Sequence, residues 1–337
     1  MSNGVLKPGY TVVAGVGLVL LLAVAAPVII PAAQAQSFPT SDRPIRIVVP
    51  FPPGGTVDIV ARTLAQRLGE QMKHTVIVEN RAGANGIIGS EAVARAAPDG
   101  HTLLVQASIF VINPLLLPKV PYDVQKDFSP VANIGNVPLV VSAHPSVPAA
   151  NLREFVQLVK KTPTKYTFAT SGLGSAGHIA EELIRLRGGL DIIIVPYKGA
   201  GPALADLLGG QTSSMIDPFP SSYPHVRSGK LRAIAVTSKA RVAFLPDVPT
   251  VAESGFPGFD IVSWYGLWGP ANLTREASVR LASEVAQAVK SKEVLERLAA
   301  QGFEASGDGP AGFTTYIRDE VAKYARIIKD ANIRVDP

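Results

Sequence analysis

Residues 45–68 read IRIVVPFPPGGTVDIVARTLAQRL, a pattern typical of a strand, a glycine turn and a helix. The β-branched run predicts a strand over Ile45–Val49, and the apolar spacing after the glycines predicts a helix over Val57–Leu68. Gly54 and Gly55 lack a Cβ, so the turn between strand and helix can bring backbone N–H groups close to a ligand. The positive end of the helix dipole points to the same place, and we therefore predict an anion site here.

The next acidic residue, Asp58, has a structural explanation. A carboxylate in the first turn of a helix interacts favourably with the helix dipole, and Thr56 can serve as the N-cap of the same helix. We therefore assign Asp58 to the helix start. The anion site is assigned to the two glycines, because two glycines after two prolines exceed what a simple turn needs.

A second strand, glycine turn and helix lie at residues 165–184, KYTFATSGLGSAGHIAEELI. Gly172, Gly174 and Gly177 match G-x-G-x-x-G, and Asp191 follows at about the distance of a dinucleotide fingerprint. One hypothesis is therefore a nucleotide-dependent enzyme. The other is a second anion turn facing the first, in which the hydroxyl groups around Gly172 suit a compact carboxylate.

Three further segments can complete a pocket. Gln106–Phe110 leaves a predicted strand at the end where ligands of open α/β sheets bind. Residues 197–202, YKGAGP, form another glycine turn before a short helix. Asp217 ends a predicted strand, where it either accepts a ligand amine or hydroxyl or serves as the turn residue before Pro218.

The sequence lacks the residues that metal sites, nucleophilic catalysis and Walker-type nucleotide sites require. The chain contains no cysteine, and its five histidines are scattered without metal-ligand spacing, so we predict no metal site and no cofactor. Around Ser175 the first glycine of a nucleophile elbow is missing, and no Walker lysine follows Gly55. We predict no catalytic residues. The net charge of +5 is dispersed, so we also expect no nucleic-acid partner.

The N-terminus predicts export. Lys7 precedes an apolar run from Thr11 to Ile30, and Ala33-Gln34-Ala35 matches a small-x-small cleavage pattern. We predict a signal peptide over residues 1–35 with cleavage after Ala35. An uncleaved membrane anchor is the alternative, because the run approaches the length of a membrane span.

Strand and helix patterns alternate through most of the remaining chain, which predicts α/β layers with mainly parallel sheets. Examples are a strand over Pro138–Ser142 and a helix over Leu152–Lys161 that begins with a capping box at Asn151. The last third reads as helices, predicted over Ser278–Lys290, Lys292–Gln301 and Ala311–Asp330. They are expected to return to the first domain.

The segments named so far closely resemble the tripartite tricarboxylate transporter substrate-binding proteins, also called the Bug or TctC family. The resemblance covers about Phe38 to Ile333 and includes, in order, RPIRIVVPFPPGGTVDIVARTLAQRL, VIVENRAGANGIIGSEAVARAAPDGHTLL, TSGLGSAGH, VPYKGAGPALADLLGGQ, GKLRAIAVTS, LPDVPTVAESGFPGF and SWYGLWGPA. It implies a periplasmic protein with a two-domain Venus flytrap fold of type II. Such a protein captures a small carboxylate ligand and delivers it to the membrane permease subunits of a transporter.

The resemblance also implies site residues and boundaries. Carried over by motif, the ligand-binding residues are Pro53, Gly54, Gly55, Thr56, Thr170, Ser171 and Ser175, with Ala107, Ser108, Gly199, Ala200 and Asp217 added from the neighbouring segments. We expect chain crossings near Val137–Ala143 and Ile261–Trp268. Domain 1 then comprises residues 38–139 plus 264–337 and domain 2 residues 140–263, in a protein that we expect to be a monomer.

Overall fold

The computed structural model describes residues 8–10, 38–40, 42–299 and 302–334. Apart from residues 8–10, the predicted signal peptide and its cleavage point lie outside these ranges. The compact unit that begins at Gln36 carries the strands and helices. In the part of the chain that is described, no helix has both the length and the apolar character needed to cross a membrane.

Ten strands and ten α-helices alternate along the described residues. The strands are β1 Ile45–Val49, β2 Val76–Asn80, β3 Thr102–Ala107, β4 Phe128–Ala143, β5 Thr167–Thr170, β6 Ile193–Pro196, β7 Ser214–Pro218, β8 Arg232–Val236, β9 Val262–Pro270 and β10 Glu304–Ala305. The helices are α1 Thr56–Met72, α2 Ile87–Ala94, α3 Ile109–Leu116, α4 Leu152–Lys161, α5 Ala176–Gly188, α6 Ala200–Leu208, α7 Phe219–Arg227, α8 Arg275–Lys290, α9 Lys292–Ala299 and α10 Pro310–Asp330. A 3₁₀ turn, Ala84–Gly86, precedes α2.

The strands form one mixed sheet in the order β2-β1-β3-β9-β4-β7-β5-β6, with β8 and β10 also paired to β4. The flanks are parallel, as the alternation predicted: β1 pairs β2 and β3, and β5 pairs β6 and β7. The centre differs from the prediction of mainly parallel sheets, because β4 and β9 run antiparallel to their neighbours. These two strands lie between the two parallel groups of strands. Because they are antiparallel, they need no helical crossover of the kind that joins parallel strands.

Strand β4 is far longer than the predicted Pro138–Ser142. Its first part pairs β9 as far as Pro138, and its last part, from Leu139, pairs β7 and β8. We call the strands on either side of this change the first sheet half (β1, β2, β3, β9, β10) and the second sheet half (β5, β6, β7, β8). The sequence obscured the first part of β4 because Gly135, which has a φ of 150°, lies at a bulge.

The C-terminal helices α8 and α10 both contact residues of the first sheet half. Leu281 and Val285 of α8 share a buried cluster with Val60 and Leu64 of α1. On the other face, the Trp264 indole nitrogen donates to Glu320 of α10 at 2.8 Å. A fully buried side chain of this size contributes much of the packing energy, so α10 holds β9 firmly in place.

Candidate functional site

Five helices point their N-termini into one cavity. Each follows directly on a strand, so its first residues lie at the carboxyl end of the sheet, where ligands of open α/β sheets bind. The N-cap residues of α1, α3, α5, α6 and α7 all line the cavity: Gly55, Ser108, Ser175, Gly199 and Pro218. Because each N-terminus carries partial positive charge, their fields add in the cavity.

The cavity is small and lacks cationic side chains. It has about 60 Å³ of space open to the centre of a water molecule, which corresponds to a handful of waters. No lysine, arginine or histidine is among its described lining residues. Among the described residues no cluster of histidine and acidic side chains could hold a metal ion. Backbone amides and hydroxyl groups therefore dominate its polar surface.

Most of the predicted site residues come together here. Nine line the cavity: Gly55, Thr56, Ala107, Ser108, Ser171, Ser175, Gly199, Ala200 and Asp217. Pro53, Gly54 and Thr170 are not among the lining residues. Pro53 and Gly54 are exposed in the turn before α1, and Thr170 is fully buried, with its hydroxyl 3.4 Å from that of Ser175. These three residues support the turns from outside the cavity.

The turn before α1 begins the helix and also lines the cavity, which are the two roles that the sequence suggested. Gly54 has a φ of 91°, a left-handed conformation that favours glycine, whereas Gly55 has an ordinary extended backbone. The Gly54 N–H donates to the Asp58 carboxylate at 3.2 Å, so this particular amide is already occupied. Gly55 and Thr56 supply the cavity surface instead.

Asp58 lines the cavity, yet it is tied into the protein. Its carboxylate accepts hydrogen bonds from Arg62 at 3.0 Å and Asn80 at 2.9 Å, besides that from Gly54. Burial alone would raise the pKa of Asp58, but these hydrogen bonds outweigh it and the pKa lies below its ordinary value. Asp58 is therefore an ionised structural carboxylate whose charge Arg62 offsets.

Close packing accounts for the glycines in the turn before α5, so they do not require a nucleotide site. A Cβ on Gly177 would overlap the carbonyl oxygen of Ile216 on β7, and a Cβ on Gly172 would overlap the Asn85 side chain. Gly174 has a φ of 81°. The G-x-G-x-x-G spacing thus follows from close backbone packing, which removes the main support for the nucleotide hypothesis.

Side chains of α5 hold this turn. Ser175 accepts a hydrogen bond from the His178 N–H at 3.0 Å, and the His178 ring accepts one from the Gly174 N–H at 3.1 Å. Burial, followed by the nearby Arg185, lowers the pKa of His178 to about 4. The imidazole is therefore neutral and structural at physiological pH.

Residues from the two sheet halves meet around the cavity. A Cβ built on Gly55 would lie 3.5 Å from the Ala200 Cβ, and one on Gly199 would lie 2.9 Å from Pro52. Asn85, before α2, donates from its side-chain amide to the Leu173 carbonyl at 2.5 Å. The two sheet halves are therefore in direct contact around the cavity.

The floor of the cavity is a chain of hydroxyl groups that ends at Asp217. The Thr56 hydroxyl donates to the Ser221 hydroxyl at 3.1 Å, and Ser221 donates to the Oδ2 atom of Asp217. Complete burial raises the pKa of Asp217 to about 7, and the hydroxyl groups of Ser221 and Ser222 offset only part of this effect. The Oδ1 atom of Asp217 is buried, and no described residue forms a well-aligned hydrogen bond with it.

The sequence did not reveal several cavity residues. Ser263 and Tyr265 alternate along β9 and face the cavity, and Phe51, Pro52 and Leu139 add apolar surface. Burial raises the pKa of Tyr265 above its ordinary value, with the Asp217 charge as a smaller contribution. The period-two spacing of Ser263 and Tyr265 in an otherwise apolar strand is the one sequence signal that could have indicated them.

Comparison with known proteins identifies the class. The model of the tripartite tricarboxylate transporter family receptor matches residues 60–333. Protein BugT of Bordetella pertussis (strain Tohama I) is 38% identical over 314 residues, which cover 93% of this chain and 94% of BugT. This is a solute-binding protein rather than an enzyme, and the chain belongs to the tripartite tricarboxylate transporter receptor family.

Solved structures agree with this assignment. The periplasmic binding protein BugD superposes with a TM-score of 0.84 at 34% identity, over 87% of this chain and 99% of BugD. Rpa4515 of R. palustris, solved with adipate, superposes with a TM-score of 0.85 at 33% identity, over 87% of this chain and 98% of Rpa4515. The predicted family and the fold class of periplasmic binding proteins are thus confirmed.

Proposed function

We propose that this protein captures a small carboxylate in the cavity and delivers it to the membrane permease subunits of a tripartite tricarboxylate-type transporter. The observation that carries the proposal is the convergence of five helix N-termini on a cavity without cationic side chains. A carboxylate is the charge that such a cavity favours. Adipate in the related Rpa4515 supports the same ligand class.

Helix ends and hydroxyl groups can supply the necessary affinity. A charge-assisted hydrogen bond contributes roughly 1.5–3 kcal/mol, and a partly buried helix N-terminus contributes up to about 2 kcal/mol. Micromolar binding corresponds to about −8 kcal/mol. Four or five such contacts therefore suffice, even after an association cost of at least ~4 kcal/mol.

The residues proposed to contact the ligand are those of the turns on both sides of the cleft. Gly55 and Thr56 approach it from the first sheet half, and Ser171 and Ser175 approach it from the second. The remaining predicted residues shape the turns or the cavity wall. Binding then consists of closure around the ligand without chemistry.

Closure requires two domains, which we place at residues 38–139 plus 264–337 and at 140–263. The change of partners along β4 between Pro138 and Leu139 supports the first boundary. Strand β9 crosses back near the second boundary. Bending of these two strands would open the cleft while each sheet half moves as a unit.

We further propose that the protein reaches the periplasm through a signal peptide cut after Ala35 and acts there as a monomer. The family supports the periplasmic location. N-terminal sequencing of the exported protein tests the cleavage site, with Gln36 expected as the first residue. Light scattering tests the monomer, and a mass near twice that of the chain would contradict it.

The ligand class is tested by thermal unfolding of the purified protein against a panel of mono- and dicarboxylates, with NAD and ATP as controls. We expect one or more carboxylates to raise the melting temperature, because a ligand that binds only the folded state stabilises it. Calorimetry then measures Kd for each acid that shifts melting. Stabilisation by a nucleotide and by no carboxylate would overturn the proposal.

A further inference from the structure

Two carboxyl groups line the cavity, and only one of them has a cationic partner. Arg62 contacts the Asp58 carboxylate at 3.0 Å, whereas no described residue forms an ion pair with Asp217. The Asp217 side chain is completely buried, and the groups that face its carboxyl are the hydroxyl groups of Ser221 and Ser222. Hydroxyl groups donate hydrogen bonds but carry no charge, so an ionised Asp217 would leave a negative charge at the cavity wall.

Helix α5 does not supply the missing positive charge. Its Glu181 is fully buried, which raises the pKa of this carboxyl well above the ordinary value and favours the protonated form. His178 is neutral at physiological pH because burial lowers its pKa to about 4. Glu182 is paired with Arg185 at 2.6 Å, and none of these four side chains lines the cavity.

The other elements around Asp217 add no cation either. Strand β9 contributes Ser263 and Tyr265, and burial raises the pKa of the Tyr265 phenol, which therefore keeps its proton. Strand β4 contributes the apolar residues Val140, beside Asp217 in the sheet, and Leu139. The start of α1 adds a hydroxyl group and the carboxylate that is already paired. Among the described lining residues, the positive field thus comes from the helix N-termini.

An anion in this cavity lies close to Asp217. With about 60 Å³ open to the centre of a water molecule, no point in the cavity is far from its walls. Two carboxylates that share such a site cannot both stay ionised, and the pKa of one of them rises strongly. The ligand faces five helix N-termini, whereas burial already favours the neutral form of Asp217, so the proton belongs on Asp217.

We infer that Asp217 holds a proton whenever a carboxylate occupies the cavity, so that each carboxylate is captured together with one proton. This inference rests on the proposed function and adds the regulation of the same site by pH. A protonated carboxyl can donate a hydrogen bond to the ligand anion. Asp217 then contributes to binding as a neutral acid, although the ionised form would repel the ligand.

The consequence is an affinity that depends on pH. Burial raises the pKa of Asp217 to about 7 even without a ligand, so above this pH the free protein has lost the proton that the complex requires. Below about pH 6.5 the proton is already in place and Kd should be nearly constant. Above about pH 7.5 each further pH unit should raise Kd by close to tenfold, because binding must restore the proton.

Calorimetry on the full exported protein tests the inference with propionate, adipate and benzoate. These acids carry no hydroxyl or amino group and are ionised above about pH 6. For each acid that binds, we expect Kd to be roughly tenfold or more higher at about pH 8.5 than at about pH 6.5. Titrations at about pH 8 in phosphate and in Tris, which differ in ionisation enthalpy, count the protons. We expect the uptake of close to one proton per ligand.

Asp217→Asn tests the assigned residue. The amide has nearly the shape of the protonated acid but cannot ionise, so the ratio of the two Kd values should fall to near one and proton uptake should vanish. Glu181→Gln is the matched control, because Glu181 is a fully buried carboxyl on α5 that does not line the cavity. Its ratio and its proton uptake should match those of the wild type.

The possible results lead to different conclusions. A Kd that is independent of pH, or binding without proton uptake, would overturn the inference and leave the proposed function standing. A wild-type pH profile in Asp217→Asn, or its loss in Glu181→Gln alone, would show that another group takes up the proton. If Asp217→Asn does not fold, the proton count of the wild-type protein still decides whether capture is proton-linked. Failure of every carboxylate to bind would overturn the proposed function itself.

Discussion

The contact of Asn85 with the opposite side of the cleft makes a sharp prediction about affinity. The Asn85 side-chain amide donates to the Leu173 carbonyl at 2.5 Å and to the Asn113 side chain at 2.8 Å. Leu173 belongs to the turn before α5 on the second sheet half, whereas Asn113 lies on α3. Of these two bonds, only the one to Leu173 joins the two halves, and the proposed opening of the cleft would break it.

Truncation of Asn85 should weaken binding through the closed state alone. A neutral hydrogen bond contributes about 0.5–1.5 kcal/mol net, which corresponds to a roughly two- to tenfold increase in Kd. We expect the increase to appear mainly in the dissociation rate, because the lost bond forms after the ligand has entered. Stopped-flow fluorescence and calorimetry with a carboxylate from the panel measure the rate and Kd.

Backbone strain has to be separated from the lost bond. Asn85 has a φ of 56°, so Asn85→Ala adds a left-handed strain of about 1 kcal/mol besides removing the amide. Asn272 has a φ of 57° and is exposed in the turn after β9, away from the cavity, so Asn272→Ala imposes the same strain alone. Asn85→Gly removes the amide without the strain.

Comparison of affinity with stability should then distinguish the lost hydrogen bond from the backbone strain. Both alanine variants should melt at lower temperature, whereas only the two variants at Asn85 should bind more weakly. A Kd within twofold of wild type for Asn85→Gly would show that the bond to Leu173 does not contribute to affinity. Loss of affinity in Asn272→Ala would mean that general destabilisation, and not the bond across the cleft, explains the effect.

Three more predictions follow from single positions. Gly54→Val should abolish measurable carboxylate binding, because a β-branched residue strongly resists the φ of 91° and would displace the turn. The control is Gly255→Val, at a φ of 110° in another exposed loop, which should lower the melting temperature and leave Kd unchanged. Since burial raises the pKa of Asp217 to about 7, the folded protein keeps a proton that the unfolded chain releases near pH 4, and the contribution of Asp217 to stability should fall as pH rises through that window. Asp217→Asn should lack this loss and gain up to about 4 kcal/mol over wild type between about pH 4 and pH 8 in denaturant unfolding; a parallel pH profile of the two proteins would contradict the assigned pKa. Gly177→Ala should lower the free energy of unfolding by about 1–3 kcal/mol, because its Cβ would overlap a carbonyl on β7. Gly312→Ala, in the first turn of α10 with ordinary contacts, should be neutral or stabilising. Equal melting temperatures of the two variants would contradict the packing explanation.

Local sequence patterns were sufficient to predict the turns and helix starts that line the cavity. The glycine turn before α1 and the Ser171–Ser175 turn before α5 follow from rules that act within a few residues. The capping box at Asn151 is a further case: its side chain accepts from the Glu154 N–H at 3.0 Å, and Glu154 accepts in return from the Ala150 N–H. These features depend on neighbours in the chain, so the sequence contains them.

Contacts between distant segments explain what the sequence left out. The first part of β4 contains prolines and Gly135, which argue against a strand until the pairing with β9 and β10 is known. The hydroxyl chain joins Thr56 to Ser221, which are 165 residues apart. No local pattern could indicate that Asn85 faces the turn before α5. The sequence thus indicated the glycine turns that line the cavity, but not the contacts between the two sheet halves or the hydroxyl chain at the cavity floor.

Recognition and closure are inseparable in a site built from helix ends. The favourable field of a helix N-terminus fades within about one turn and is screened by water, so a single uncovered turn holds an anion weakly. Helices α1 and α3 belong to the first sheet half, and α5, α6 and α7 follow strands of the second. In the structure all five ends line one cavity, and the proposed opening of the cleft would separate the ends of α1 and α3 from the other three. A substitution that weakens closure at Asn85 must therefore reduce affinity, although Asn85 does not line the cavity.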